Sequence, residues 1–196
     1  MRDKGQNLLL ASTSRYRAEL LARLGIAFKA MNPDVDETAR PGETAQRLAT
    51  RLSLAKAQAV AGLHPTAWVI GSDQVASCEG QLLGKPGSRQ KAVQQLLLMR
   101  GKYTAFITGL AVVNAGRGLC YRSLDTTVVK LRRLSLAEIE RYVDSEPSFD
   151  CAGSAKIEGL GISLCSEVQS RDPTALIGLP LIETARLLRK AGFVLP

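Results

Sequence analysis

Two stretches rich in β-branched and aromatic residues, 103–113 and 121–131, flank a short segment carrying Gly116 and Gly118. That pattern predicts a long β-hairpin. A hairpin of such length commits the chain to a sheet, and the sheet needs apolar cover. The cover is legible on either side. Residues 15–24 read as a helix with Leu20, Leu21 and Leu24 on one face and Gly25 as its stop. Residues 44–61 read as a longer amphipathic helix, with Ala45, Leu48, Ala49, Leu52, Ala55 and Ala59 as its apolar face and Gly62 closing it. A third helix is expected over 88–99, before Gly101. A fourth opens at the capping box Ser135-Leu136-Ala137-Glu138 and runs to Val143. A last one has Pro180 in its first turn and ends at Lys190. Short strands are expected at 8–11, 26–31, 68–70 and 162–164, and 32–42 reads as a polar loop. Helices alternating with strands around a central hairpin predict an α/β architecture with a mixed, twisted sheet. Nothing resembles a linker or a repeat, so a single domain over 1–196 is expected.

Several function classes drop out early. The apolar run Leu8-Leu9-Leu10-Ala11 is too short for a signal-peptide core, and no apolar stretch reaches membrane-spanning length. No membrane partner is expected. Cys78, Cys120, Cys151 and Cys165 show no Cys-x-x-Cys spacing, which predicts free thiols in a reducing cytoplasm. The single histidine, His64, lies before Pro65 in a turn context, which disfavours histidine-based catalysis and histidine-ligated metals. A net charge of +8 favours polyanionic partners. Aromatics make up only 5% and do not interleave with the basic residues, so a stacking groove for nucleic acid is not expected. Gly80 precedes Gly84-Lys85 one residue too closely for a P-loop, and Pro86 replaces the required hydroxyl.

Five segments carry residues suited to phosphate chemistry. In Ser12-Thr13-Ser14-Arg15-Tyr16-Arg17, hydroxyls and arginines stand at a helix start, where anions bind; the same residues also suit a plain serine N-cap. Asp34, Asp36 and Glu37 could hold a hard cation, or form a solvated acidic loop. Asp73, in Gly71-Ser72-Asp73-Gln74, follows a buried strand and is expected at the sheet's carboxyl edge, where ligands gather, or as a turn cap. Lys56 and Lys85 suit the charge of a triphosphate, as solvated lysines also would look. The run from Asp150 to Gly161 is a glycine-rich loop bearing Lys156 and Glu158.

Taken in order, these segments resemble the Maf-like nucleotide pyrophosphatases. The resemblance runs through Leu9-Leu10-Ala11-Ser12, Glu19-Leu20-Leu21, Val35-Asp36-Glu37, Ala55-Lys56-Ala57, Gly71-Ser72-Asp73-Gln74-Val75, Gly84-Lys85-Pro86, Thr108-Gly109, Ala152-Gly153 and Gly178-Leu179-Pro180. It implies a Maf/ITPase-like elongated fold with a cleft between two lobes. It also implies a cytoplasmic hydrolase of acid anhydrides that splits nucleoside triphosphates into monophosphate and pyrophosphate with Mg²⁺ or Mn²⁺. A homodimer is left open. By the same resemblance Asp73 is the proton acceptor and a metal ligand, Glu37 belongs to the metal site, and Ser12, Arg17, Lys56 and Lys85 contact phosphate. One departure stands out: the family's proline after the serine is replaced by Arg15.

Base preference follows from three positions. The branch of the family acting on 7-methyl-GTP carries an aromatic, Gln and Glu where this chain has Tyr16, Gln74 and Glu158. The branch acting on dTTP and UTP has Arg, Thr and Gln there. A methylated, cationic guanine stacks on an aromatic face, and a carboxylate accepts its edge protons. A pyrophosphatase for other modified or canonical nucleotides, and a non-catalytic basic nucleic-acid-binding or regulatory module, are the alternatives.

Overall fold

The computed structural model describes residues 6–196. Its elements are β1 (Leu8–Ala11), α1 (Arg15–Ala22), β2 (Lys29–Met31), α2 (Ala45–Leu63), β3 (Trp68–Cys78), β4 (Gln81–Leu83), α3 (Arg89–Met99), β5 (Tyr103–Asn114), β6 (Leu119–Leu131), α4 (Leu136–Ser145), β7 (Cys165–Gln169) and α5 (Leu181–Lys190). The strands form one seven-stranded sheet in the order β2-β1-β3-β5-β6-β7, with β4 paired to β3. β1 runs parallel to β2 and β3, while β4 and β7 are antiparallel to their partners. The fold is therefore mixed α/β, as the sequence predicts. The chain divides into two compact units: residues up to Asp73 with Thr108–Asp125 and Asp172–Pro196, and Gln74–Ile107 with Thr126–Arg171.

In the first unit β1 is buried on both faces, which is why it reads as a continuous apolar run. Leu8, Leu10, Trp68, Ile70, Leu110 and Val112 pack with Leu20 and Leu21 of α1 and Leu187 and Leu188 of α5. The alternate residues Leu9, Ala11, Val69, Ala111 and Val113 pack with Ala57, Val60 and Ala61 of α2. Each large aliphatic side chain so buried contributes roughly 1.5–3 kcal/mol.

Helix α2 comes unusually close to the sheet. A Cβ at Gly71 would collide with the Ser53 carbonyl and Ala57, and one at Gly109 would collide with the Ala49 carbonyl and the Ser53 hydroxyl. Ala49, Ser53 and Ala57 thus form a small-residue stripe, one turn apart, facing two glycines. This contact turns the helix from its expected orientation. Ala55 and Ala59 lie half-buried at its margin, whereas Ser53, Lys56, Ala57, Val60 and Ala61 are buried. Gly62 does not end α2 either. The helix continues to Leu63, and His64 caps it, donating its N–H to the Val60 and Ala61 carbonyls. Pro65, which biases the residue before it away from helical geometry, follows that cap.

Three strand expectations change, two of them in the first half of the chain. Of 26–31 only Lys29–Met31 pairs in the sheet; Ile26 and Phe28 pack against the core instead. Asp73 is not at a strand end. β3 continues through it to Cys78, because Val75, Ala76 and Cys78 are again buried.

In the second unit α3 packs on α4, whose capping box is formed as predicted, with the Ser135 N–H donating to Glu138 at 2.7 Å. The strand expected at 162–164 is a 3-10 turn, Leu160–Leu164, and the strand begins at Cys165. A Cβ at Gly161 would strike the Lys156 backbone, and one at Gly159 the Glu146 carboxylate, so these glycines permit tight winding where an extended strand was expected.

Candidate active site

The close seating of α2 places Lys56, 4% exposed, beneath β3. A buried ammonium requires charged partners, and two carboxylates supply them. Lys56 Nζ lies 2.6 Å from Asp73 Oδ1 and 2.5 Å from Glu37 Oε1. Asp73 is itself 6% exposed, whereas the Glu37 side chain is half-exposed on the loop between β2 and α2. Groups at positions 37, 56 and 73 thus meet at one point within the first unit.

Arg17 stands at the start of α1, which Ser14 caps by accepting from the Arg17 N–H at 3.4 Å. Its guanidinium is fastened at two points. Nε donates to the Gly178 carbonyl at 2.8 Å, and Nη1 donates to the Ser12 hydroxyl at 3.4 Å. The Ser72 hydroxyl lies 2.9 Å from both the Gly178 and the Gly109 carbonyl, tying this loop to β3 and β5. Burial lowers the Arg17 pKa from its ordinary value, and the charges of Asp73 and Glu37 oppose that shift. The arginine is therefore near enough to both carboxylates to feel them. Anionic and cationic groups so placed, beside a helix N-terminus, can hold a phosphate chain and its counter-ion together.

Glu37 and Asp73 are the two carboxylates of this cluster, and both lie within ion-pair distance of the Lys56 ammonium. Among the described residues no group of three or more metal-ligating side chains exists. Two carboxylates suit Mg²⁺ or Mn²⁺ where water and substrate phosphates complete the shell. The three neighbouring acids of the loop do not act together: Asp36 Oδ1 accepts from the Thr38 N–H at 2.9 Å, and only Glu37 reaches Lys56.

A family model described as Maf-like protein matches residues 7–191. The chain belongs to the Maf-like family. It is 56% identical over 189 residues to the 7-methyl-GTP pyrophosphatase of Xanthomonas axonopodis pv. citri (strain 306), covering 96% of this chain and 98% of that one. It is 54% identical over 187 residues to the 7-methyl-GTP pyrophosphatase of Albidiferax ferrireducens, covering 95% and 94%. Among solved structures, the Staphylococcus aureus Ham1 protein aligns over 65% of this chain and 73% of that chain, with a TM-score of 0.48 and 15% identity.

The remaining expected residues of this Maf-like chain are distributed as follows. Tyr16 is half-buried in the first turn of α1, and the Arg15 guanidinium lies 4.8 Å from its ring centroid and donates to its hydroxyl at 2.9 Å. The arginine that replaces the family's proline therefore covers one face of the aromatic. Gln74 follows Asp73 on β3 and is half-buried. Lys85 and Glu158 belong to the second unit and are exposed. The Lys85 loop is held by Gln95 Nε2 donating to the Gly84 carbonyl at 3.0 Å and the Gly87 N–H donating to the Phe149 carbonyl at 3.0 Å. Although Glu158 is exposed, partial desolvation of its carboxyl raises its pKa, opposed by a backbone hydrogen bond and Lys156 and reinforced by Glu146 and Asp150.

Sequence reasoning missed the supports. Arg51 reads as an ordinary solvated helix arginine, yet it binds both Glu43 and the Thr38 carbonyl. Asp172 and Thr174 cap α5 from a distance, accepting from the Ile182 N–H at 2.7 Å and the Leu181 N–H at 2.8 Å. They fix the loop that presents the Gly178 carbonyl to Arg17. Neither leaves a periodic signal, because each partner lies across a loop.

Proposed function

We propose that this Maf-like chain hydrolyses 7-methyl-GTP to 7-methyl-GMP and pyrophosphate. The observation that carries the proposal is the meeting of Glu37 and Asp73 at Lys56. The printed names of the 56%- and 54%-identical relatives support the choice of substrate.

In this reading Asp73 accepts the proton of a water that attacks the α-phosphorus, and the bond from that phosphorus to the bridging oxygen breaks. Arg17, anchored by Gly178 and Ser12, and Lys85 bind the leaving pyrophosphate and offset its charge. Ser12 offers its hydroxyl to the same phosphates. Lys56 balances the two carboxylates between which it lies. A Mg²⁺ or Mn²⁺ ion held by Glu37 and Asp73 would polarise the phosphate oxygens as a Lewis acid. Tyr16 stacks on the methylated base, while Gln74 and Glu158 read its edge. Arg15 supports the stacking role: the Tyr16 ring already carries a planar cation, which is the property that N7-methylation gives guanine. Four free thiols, Cys78, Cys120, Cys151 and Cys165, fit a reducing cytoplasm.

Product analysis tests the reaction. With Mg²⁺ or Mn²⁺ and labelled water, the expected products are pyrophosphate and 7-methyl-GMP carrying the label. Release of inorganic phosphate with 7-methyl-GDP would overturn the bond assignment. Cleavage of dTTP or UTP in preference to 7-methyl-GTP would overturn the substrate.

A further inference from the structure

Glu37 differs from its partners in standing on an exposed loop rather than on a helix or strand. The segment between β2 and α2 contains no helix or strand, and Asp34 and residues 36–42 are all exposed. Its ion pair with the buried Lys56 leaves the Glu37 side chain half-exposed. A contact beyond Glu37 itself fastens this segment to α2.

Arg51 makes that contact. Its Nε and Nη2 each donate to the Glu43 carboxylate at 2.7 Å, and Nη2 also donates to the Thr38 carbonyl at 3.0 Å. The Arg40 N–H donates to the same carboxylate at 3.0 Å, closing the turn. Thr38 is the residue directly after Glu37, and Arg51 shares one helix with Lys56. The helix that carries the ammonium therefore also carries the clamp that delivers its second carboxylate. A forked guanidinium suits this task, since it fixes direction as well as charge.

We infer that Arg51 is the positioning residue for Glu37, fastening the acidic loop to α2 so that the Glu37 carboxylate reaches Lys56 and Asp73. The inference rests on the metal-site reading of Glu37 for its consequence, but not for the clamp itself.

Two measurements on the full chain test it. Amide hydrogen exchange at residues 36–40 should rise in Arg51→Ala while the buried face of α2 keeps its protection; unchanged exchange would remove the clamp. Mn²⁺ alone, titrated by the magnetic resonance of the free ion, should bind about 10- to 100-fold more weakly in Arg51→Ala, the range for lost support of a metal ligand. Arg51→Lys should recover only part of this. In a Glu37→Gln background Arg51→Ala should add no further loss, whereas multiplying losses would show that Arg51 acts elsewhere. If Arg51→Ala does not fold, Glu43→Gln opens the same clamp and is read the same way. Wild-type protein that neither binds Mn²⁺ nor cleaves 7-methyl-GTP would defeat the functional reading, while the exchange result still decides the clamp.

Discussion

Asp73 and Glu37 touch the same nitrogen from opposite kinds of support. Asp73 stands inside an eleven-residue strand, with Val69, Ile70, Ala76 and Cys78 of that strand fully buried. Glu37 hangs from an irregular, exposed loop tied down by Arg51. The first is fixed by the core and the second by a few polar contacts. One site can thus combine a rigid half with an adjustable half, and the two should respond differently to mutation.

The largest difference should come from the rigid half. Asp73→Asn should lower turnover by about 10²- to 10⁴-fold, the range for a lost general base, with nucleotide affinity changed far less. Steady-state kinetics with equilibrium binding checks this, and undiminished turnover would remove Asp73 from the reaction. Next, Gly109→Val should lift α2 from the sheet, since the new side chain meets the Ala49 carbonyl. Overpacking of this kind costs about 1–3 kcal/mol or more, read as a lower Tm together with reduced activity from the displaced Lys56. Normal stability and activity would show that the close approach is dispensable. Glu37→Gln should be milder, lowering metal affinity by about 10-fold or more without lowering Tm. A loss of Tm there would mean the loop stabilises the core.

The smallest effect concerns acid. Arg51 and the Arg40 N–H hold the Glu43 carboxyl down to a pKa of about 2, from an ordinary 4.5. A depressed carboxyl contributes stability in full above its unfolded value and loses it as pH falls through the folded one. The stability difference between wild type and Arg51→Ala should therefore hold steady from neutral pH to near 4.5 and close towards pH 2. Denaturant titrations at stepped pH measure it, and a gap that closes above the ordinary value would break the clamp.

Much of the site was legible because its residues sit in short local patterns. Ser14 before a helical run marks the α1 start, and Ser135 with Glu138 marks that of α4. Lys56 was legible as a residue but not as a buried one. The periodicity of 44–61 put Ala55 and Ala59 on the apolar face, and only contact with Gly71 and Gly109 turned Lys56 inward. Asp73 was misplaced at a strand end because its polar neighbours looked like a turn. The Ser72 hydroxyl instead meets the distant carbonyls of Gly109 on β5 and Gly178 on a loop. Arg51 and Asp172 were invisible, since a surface arginine and a loop aspartate look alike whether or not they hold something.

The sequence alone determined the alternation of helices and strands, the mixed sheet and the chemical types available to a phosphate site. Hydrophobic period and capping chemistry are local properties, and a linear text records them. Tertiary structure alone decided that positions 37, 56 and 73 share one point, and that Arg17 is anchored to Gly178 and Ser12. Separation in space between residues far apart in the chain is set by how closely α2 can approach β3 and β5. That approach depends on which side chains are missing at Gly71 and Gly109, and no periodicity encodes it.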